Sequence, residues 1–233
     1  MATQHILSNY LSKLLIYITE KAAQGQDSLP SLKTISEELG MSVSKLREEL
    51  LVARALGLVE VKPRIGIKIL EFNFLPAVSK SLAIAVSIDK ELFRQFSDLR
   101  NHIEASYWYQ AVSQLNQGDV KELNKIVKIA LKKLSADPIQ IPHVEHRQLH
   151  LTIFSRLENV FVSGLLESYW DIYESVGLNV YEDRKYLERV WDYHQQMVES
   201  ISQSDFLSGY QALIAHMDLL FQREQKNSII HFE

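Results

Sequence analysis

The chain has 233 residues, of which 46% are hydrophobic and 23% charged, values ordinary for a globular protein of one large or two medium-sized domains. It contains no Cys, which excludes disulfides, thiolate metal sites and cysteine nucleophiles and suits a cytoplasmic protein. The net charge of −4 disfavours a strongly basic nucleic-acid binder. The longest apolar runs are too short to span a membrane, and we expect no signal sequence or membrane partner.

The first predicted elements are a helix over His5–Ala23, a polar loop at Gln24–Ser28, and a helix–turn–helix with a hairpin in Leu29–Ile69. Gly40 stands where a helix C-cap needs a left-handed residue, and Ser42 is a candidate N-cap of the next helix. Apolar residues recur at helical spacing and then alternate as in a hairpin: Leu32, Ile35 and Leu39; Leu46, Leu50, Ala53 and Leu56; Val59, Val61, Ile67 and Ile69.

The second of these helices begins with polar and basic residues, Ser42, Ser44, Lys45 and Arg47, and Arg64 lies at the tip of the hairpin. A helix of this kind after a Gly-containing turn is typical of a DNA-reading unit, with the hairpin as its wing. The alternative is an ordinary helical hairpin with a solvated face. The hairpin in register with the two helices favours DNA binding.

The charge distribution fits this interpretation only weakly. Residues 1–70 hold nine Lys and Arg against seven Asp and Glu, whereas residues 71–233 hold 16 against 22. A monomer with so small a positive excess should bind DNA poorly, so we expect a homodimer that binds two operator half-sites.

Residues 29–69 resemble the winged helix-turn-helix of GntR-type transcriptional regulators. The matching positions are Leu29-Pro30-Ser31, Gly40-Met41-Ser42, Arg47, Leu50, Gly57-Leu58-Val59 and Gly66. Val43 and Lys33 both stand where that family usually has Arg, and the loss at Val43 puts DNA affinity or operator sequence in question. The resemblance implies that DNA is contacted by Lys33, Ser44, Arg47 and Arg64.

From Ala77 onward the pattern predicts seven helices and no strand, which indicates an all-α bundle with antiparallel neighbours. The fold class is therefore mainly α, a winged helix-turn-helix followed by an all-α antiparallel helical bundle. We assign residues 1–70 to a DNA-binding domain, 71–88 to a linker and connecting helix, and 89–228 to an effector-binding and dimerisation domain. Two predicted inward faces are Leu92, Phe96, Leu99, Ile103 and Tyr107, and Leu123, Ile126, Val127, Ala130 and Leu134.

Four histidines in the bundle form a pattern. His146 and His150 are four residues apart on one helix, and His194 and His216 lie on the last two helices at similar distances from the loop joining them. Four imidazoles from three helices could converge inside the bundle, which suits a divalent cation. The alternative is that each is a solvated or hydrogen-bonded histidine with no ligand role.

Residues 90–225 resemble the all-helical ligand-binding domain of the FadR branch of GntR regulators. The matches are Leu99-Arg100 with Glu104, HRQLH at 146–150, Asn159, Tyr193-His194 and Ala215-His216. Metal-binding members use one Asp and three His, and His146 takes the place of that Asp. The resemblance implies a metal held by His146, His150, His194 and His216, and four neutral imidazoles favour zinc or nickel over manganese.

Arg100 is the candidate effector-binding residue, because an inward Arg needs an anion and its planar fork suits a carboxylate. The alternative is an internal ion pair with Glu104 at i+4. The resemblance implies a small carboxylate that spans the metal and Arg100, with Asn159 as a further contact.

Enzyme function is not expected. In the HxxxH pair, His146 is followed by Arg147 rather than the Glu of zinc proteases, and we find no Glu-x-x-His pair, phosphate loop, nucleophile elbow or dinucleotide fingerprint. The sequence favours a ligand-responsive regulator that binds a palindromic operator. Two alternatives stay open: a regulator that senses an apolar acyl ligand without metal, and a metal- or metabolite-binding helical protein with a degenerate DNA-binding head.

Overall fold

The computed structural model describes residues 10–173 and 184–230, with side chains described up to residue 219. The chain divides into two compact units between Lys80 and Ser81, within the predicted connecting segment 71–88. The predicted fold class is confirmed: a three-stranded winged head is followed by helices alone in the described residues. No helix of the described part is both long and apolar enough to cross a membrane.

From residue 10 to the end of the hairpin, the N-terminal unit shows three helices and one small sheet. In chain order its elements are α1 (Lys13–Ala23), β1 (Ser28–Leu29), α2 (Leu32–Leu39), α3 (Val43–Ala55), β2 (Val59–Lys62) and β3 (Gly66–Ile69). The next helix, α4 (Leu75–Ile88), begins in this unit and crosses its boundary. The sheet is antiparallel with the order β1-β3-β2, and Val59 pairs with Ile69 while Val61 pairs with Ile67.

Local signals in the sequence explain the helix–turn–helix. Gly40 has a φ of 62° and its N–H donates to the Ser36 carbonyl, which ends α2 in the left-handed conformation that favours glycine. The Ser42 hydroxyl accepts the Lys45 N–H and begins α3. One apolar core joins the helices to the sheet and contains Leu14, Leu15, Tyr17, Ile18, Leu29, Ile35, Leu46, Leu50, Ala53, Val59, Ile67 and Ile69.

Strand β1 corrects the predicted loop at Gln24–Ser28. Ser28 pairs with Lys68 of β3, and the Asp27 carbonyl accepts the Ile69 N–H at 2.9 Å. A two-residue strand is too short to show alternation, so the sequence pattern could not reveal it. The first residues of the predicted helix His5–Ala23 lie outside the described part of the chain.

The C-terminal unit contains the other helices. After α4 these are α5 (Glu91–Ser113), α6 (Gln117–Leu134), α7 (His143–Ile153), α8 (Val160–Tyr173), α9 (Arg184–Ser202) and α10 (Phe206–Ile230). Helix α9 packs against α10 and α6, and α6 also packs against α7. The seven helices from α4 to α10 in the described residues match the predicted number. Sequence periodicity predicts that one of these helices ends at Val176 and that the next begins at Asp183, and both positions lie outside the described residues.

One predicted inward face is right, and the other is correct in part: Phe96, Ile103 and Tyr107 pack on the core but Leu99 does not. The stripe on α6 is buried throughout, from Leu123 to Leu134. On α5, however, Leu99 is 47% exposed, and the buried face lies one position further along. That face carries Phe93, Asn101, Trp108, Ala111 and Val112 together with the charged pair Arg100 and Glu104. The charged pair lies inside because it contacts a histidine of α7, which an apolar stripe cannot predict.

Candidate metal centre and nucleic-acid interface

The structure brings together His146, His150, His194 and His216. Helix α7 presents the first two from one face, and α9 and α10 contribute one each. One nitrogen from each ring lies within 4.8 Å of every other, and the centroids of the His194 and His216 rings are 4.4 Å apart. His150, His194 and His216 are fully buried, and His146 is partly exposed.

Burial keeps these imidazoles neutral. Loss of hydration lowers the pKa of all four well below the usual value of 6.5, and the neighbouring imidazoles and the Arg100 guanidinium lower most of them further. A neutral imidazole offers a lone pair to a cation, so the cluster is in the ligating form near neutral pH.

Unpaired nitrogens show that a cation fits the cluster. Among the described residues, no partner is present for His146 Nε2, His194 Nδ1 or either nitrogen of His216, although all are buried. Such atoms are costly unless something binds them. A tetrahedral zinc site needs nitrogens about 3.4 Å apart, and His150 Nε2 already lies 3.2 Å from His194 Nε2. Small ring movements would therefore complete a site for a four-coordinate ion.

Aromatic rings line the cluster. The centroid of Trp170 lies 4.7 Å from that of His146, and Trp191 lies 4.7 Å from His194. A cavity of about 20 Å³, bordered by His143 and Tyr173, reaches His146 and has room for about one water molecule. The two tryptophans thus place the imidazoles in surroundings of low polarity.

A buried charged network joins α5 to the histidines. An Arg100 guanidinium nitrogen lies 2.8 Å from Glu104 Oε1 and 2.8 Å from His150 Nδ1, and Glu104 Oε2 lies 3.1 Å from the same Nδ1. The Arg100 guanidinium also stacks over the rings of Tyr169 and Trp170 at 4.8 and 5.2 Å. Burial raises the pKa of Glu104 to about 7 against the opposing effect of Arg100. The ion pair with Glu104, which was the alternative to effector binding by Arg100, is present, and the contact of Glu104 with His150 was not predicted.

Asn159, the second predicted effector residue, lies at the start of α8. Its side-chain oxygen accepts the N–H groups of Phe161 and Val162, and its amide nitrogen donates to the Tyr107 hydroxyl at 3.2 Å. Asn159 is therefore a helix N-cap, and its oxygen is already engaged.

In the N-terminal unit, all the residues predicted to contact DNA are exposed: Lys33, Ser42, Ser44, Lys45, Arg47 and Arg64. Lys45 also pairs with Glu48 at 3.3 Å across a solvated surface, where an ion pair contributes little. Arg64 lies at the wing tip with a φ of 67°. The start of α3 is a polar, partly basic surface that can enter a groove.

The winged unit and the all-helical domain together define a one-component transcriptional regulator, in which one chain carries a DNA-reading head and a ligand-binding domain. Residues 95–219, more than half of the chain, match the FCD domain, so the chain belongs to the FCD domain family. It is a GntR-type transcriptional regulator with a C-terminal FCD effector-binding domain, and some FCD domains bind metal ions. The prediction that it is not an enzyme is confirmed, because its relatives are regulators.

Two individual comparisons agree with this assignment. The chain is 21% identical over 196 residues to the HTH-type transcriptional regulator LutR of Bacillus subtilis (strain 168), covering 82% of this chain and 88% of that protein. The structure is similar to that of Streptococcus agalactiae GntR, with a TM-score of 0.61 at 17% identity, over 91% of this chain and 96% of the other. The second likeness supports the fold.

Proposed function

We propose that the chain is a dimeric, cytoplasmic regulator of the FadR branch that binds a palindromic operator and responds to a small carboxylate beside a divalent cation. The N-terminal domain, residues 1–70, reads the operator half-sites, residues 71–88 form the connection, and residues 89–228 form the sensing and dimerisation domain. The observation that carries the proposal is the convergence of four neutral imidazoles, three of them fully buried, in a domain joined to an exposed reading helix.

The cation is held by His146, His150, His194 and His216, with zinc or nickel as the preferred ion. Four nitrogen ligands suit these ions, whereas manganese prefers carboxylate. Bound there, the ion supplies positive charge and Lewis acidity next to the effector pocket. Because the resembling domains have Asp at the place of His146, this chain would hold the ion with one negative charge fewer.

The effector is a carboxylate because the cation site and Arg100 leave buried positive charge that Glu104 alone does not balance. Arg100 is 2% exposed, and its guanidinium group reaches the edge of the histidine cluster. A planar carboxylate matches two parallel N–H groups. Asn159 is proposed as a further contact through its amide nitrogen, which donates to the Tyr107 hydroxyl, because its oxygen caps α8.

Operator binding by the dimer places one copy of α3 in each of two successive major grooves. Lys33, Ser42, Ser44, Lys45, Arg47 and Arg64 are the proposed DNA contacts. An effector regulates such binding only if it has different affinities for two arrangements of the dimer. A dimer also compensates for the small positive charge of each head, because two sets of phosphate contacts act together.

The test of the regulator is retention of a promoter fragment from the protein's own locus by the full chain, measured against salt concentration with a scrambled fragment as control. Sequence-selective retention by a dimer supports the proposal. Equal retention of both fragments would instead support a helical binding protein with a degenerate head. Analytical ultracentrifugation of the same sample gives the oligomeric state.

The test of the cation site is elemental analysis of protein purified without added metal, followed by zinc and manganese titrations. We expect one zinc or nickel ion per chain. Replacing His146→Asp should keep zinc binding and increase manganese affinity, because a carboxylate is a harder ligand than imidazole. Metal-free protein that takes up neither ion would overturn the site and favour an apolar acyl ligand.

A further inference from the structure

One ring nitrogen of His150 lies between two groups that make opposite demands on it. His150 Nδ1 is 2.8 Å from an Arg100 guanidinium nitrogen and 3.1 Å from Glu104 Oε2. A guanidinium group only donates hydrogen bonds, and an ionised carboxylate only accepts them. His150 Nδ1 therefore satisfies Arg100 when it carries no proton and Glu104 when it carries one, but never both.

The other nitrogen of the same ring faces the histidine cluster. His150 Nε2 lies 3.2 Å from His194 Nε2. In one tautomer, His150 Nε2–H donates to His194 and Nδ1 accepts a hydrogen bond from Arg100, so both short contacts are satisfied. The contact with Glu104 is the one left unsatisfied in that tautomer.

The opposite tautomer follows if His150 uses Nε2 as a ligand. The Nε2 lone pair is then engaged, and the single proton of the neutral ring must lie on Nδ1. His150 Nδ1–H donates to Glu104, as the second hydrogen bond of a ligating histidine commonly goes to a carboxylate. The Arg100 N–H that pointed at Nδ1 now meets another N–H and has lost its acceptor.

We propose that His150 couples cation binding to the availability of Arg100: its ring is bonded to Arg100 in the metal-free chain and to Glu104 in the loaded chain, where a guanidinium N–H is released for an anion. This inference rests on the proposed cation site and adds a coupling between cation binding and anion binding. Arg100 opposes loading of the site until an anion accepts its free N–H group. By linkage, a carboxylate that takes this N–H raises the affinity for the cation by the same factor as the cation raises the affinity for the carboxylate.

Nitrogen NMR tests the tautomer directly. The full-length chain, labelled with 15N in its histidines, is compared at pH 8 with and without one equivalent of zinc in long-range 1H–15N spectra. His150, assigned by its loss in His150→Gln, should change from the Nε2–H to the Nδ1–H form. The same tautomer in both samples would overturn the inference. If titration shows that the wild-type chain takes no zinc, the cation site itself is wrong and the inference falls with it.

Zinc affinity gives an independent test through two variants that should change it in opposite directions. Arg100→Lys keeps the positive charge near Glu104 but is too short to bond to His150 Nδ1, so zinc should bind about tenfold more tightly. Glu104→Gln removes the charged acceptor, so zinc should bind about tenfold more weakly. A purely structural role of Arg100 predicts weaker binding in both variants, which would contradict the inference.

The matched control is Arg147→Lys. Arg147 lies on the same helix as His150, next to His146 in sequence, and pairs with Asp171 at 2.6 Å near the surface. In the part of the chain that the structure describes, Arg147 makes no hydrogen bond or ion pair with a cluster nitrogen, so its replacement should leave zinc affinity within about twofold of the wild type. A change in this control as large as that in Arg100→Lys would assign both effects to general disturbance of α7 and overturn the inference.

Discussion

The two units place their functional residues in opposite positions. In the winged unit, Ser44 and Arg47 lie on the surface over an apolar core to which they contribute nothing. In the FCD domain, His150, His194 and Arg100 are buried. The reading surface can therefore change without cost to folding, whereas the sensing site is part of the core of its own domain.

This difference has an energetic consequence. Buried polar groups destabilise a fold unless they are paired, and several nitrogens of the histidine cluster have no partner in the described structure. A ligand that binds them in the folded state alone stabilises that state by an amount that grows with the logarithm of the free ligand concentration. The stability of the FCD domain should therefore depend strongly on pH and on cations, whereas the stability of the winged unit should not.

Acidification of the metal-free protein should produce the largest difference in stability between the two units. The four cluster histidines have pKa values far below 6.5 when folded and ordinary values when unfolded, so below pH 6.5 the unfolded chain binds more protons. Each histidine then reduces the free energy of unfolding by up to about 1.4 kcal/mol per pH unit. Glu104, with its pKa raised to about 7, acts in the opposite direction between pH 7 and 4.5 but is a single group.

Urea unfolding in EDTA at pH 7.5, 6.5 and 5.5 measures this effect. All three tryptophans, Trp108, Trp170 and Trp191, belong to the FCD domain, so their fluorescence reports that unit. In the winged unit, the pKa of Tyr17 is raised to about 12 by burial and by Glu38, far outside the range tested. An FCD domain equally stable at pH 7.5 and 5.5 would show that the histidines are not neutral and buried when folded.

Removal of one proposed metal-ligand residue should have the next largest effect, a loss of zinc affinity. His194→Ala deletes a fully buried imidazole at the centre of the cluster, so zinc affinity should fall by more than about a hundredfold. Competition with a chromophoric chelator measures the change, and DNA binding by metal-free protein should stay as in the wild type. His102→Ala, which removes a histidine whose side chain is 75% exposed, is the matched control. Equal losses in both variants would contradict the assigned site.

The two units also differ in how much of their structure could be predicted from the sequence. The winged unit was predicted almost completely because its signals are local: Gly40 and Ser42 mark the turn, and alternation marks the hairpin. The exception is β1, whose pairing with β3 depends on contacts distant in sequence. The inward face of α6 was also predicted correctly, because the outer face of this helix is polar and its inner face is apolar.

Helix α5 shows where prediction of a buried face from hydrophobic periodicity fails. Its most apolar face includes Leu99, but the face that turns inward carries Arg100 and Glu104, because these residues contact His150 of another helix. Hydrophobic periodicity treats a buried ion pair as a surface feature. The histidines were identified by their residue type and spacing, whereas the role of Glu104 depends on a contact across 46 residues of sequence.

A smaller effect is expected at the DNA-reading surface. Arg47→Ala should weaken operator binding by about 10- to 100-fold, as is typical for the loss of one Arg contact, and should leave zinc affinity unchanged. Fluorescence anisotropy with the promoter fragment measures the affinity. Arg54→Ala removes an exposed Arg from the last turn of the same helix and serves as control. If the two variants bind alike, the assignment of the start of α3 to the groove is wrong.

The smallest effect should come from the turn between α2 and α3. Gly40 has a φ of 62°, and an added Cβ would meet no atom within 4 Å, so Gly40→Ala tests backbone conformation alone. We expect a loss of about 1 kcal/mol in the stability of the winged unit, from thermal unfolding followed by circular dichroism. Gly40→Asn should cost less, because Asn adopts the left-handed conformation more readily than Ala. A larger loss with Asn than with Ala would mean that crowding in the folded protein, and not the dihedral angle, requires glycine at this turn. The tryptophan-monitored unfolding of the FCD domain should be the same in both variants, since the turn acts only within its own unit.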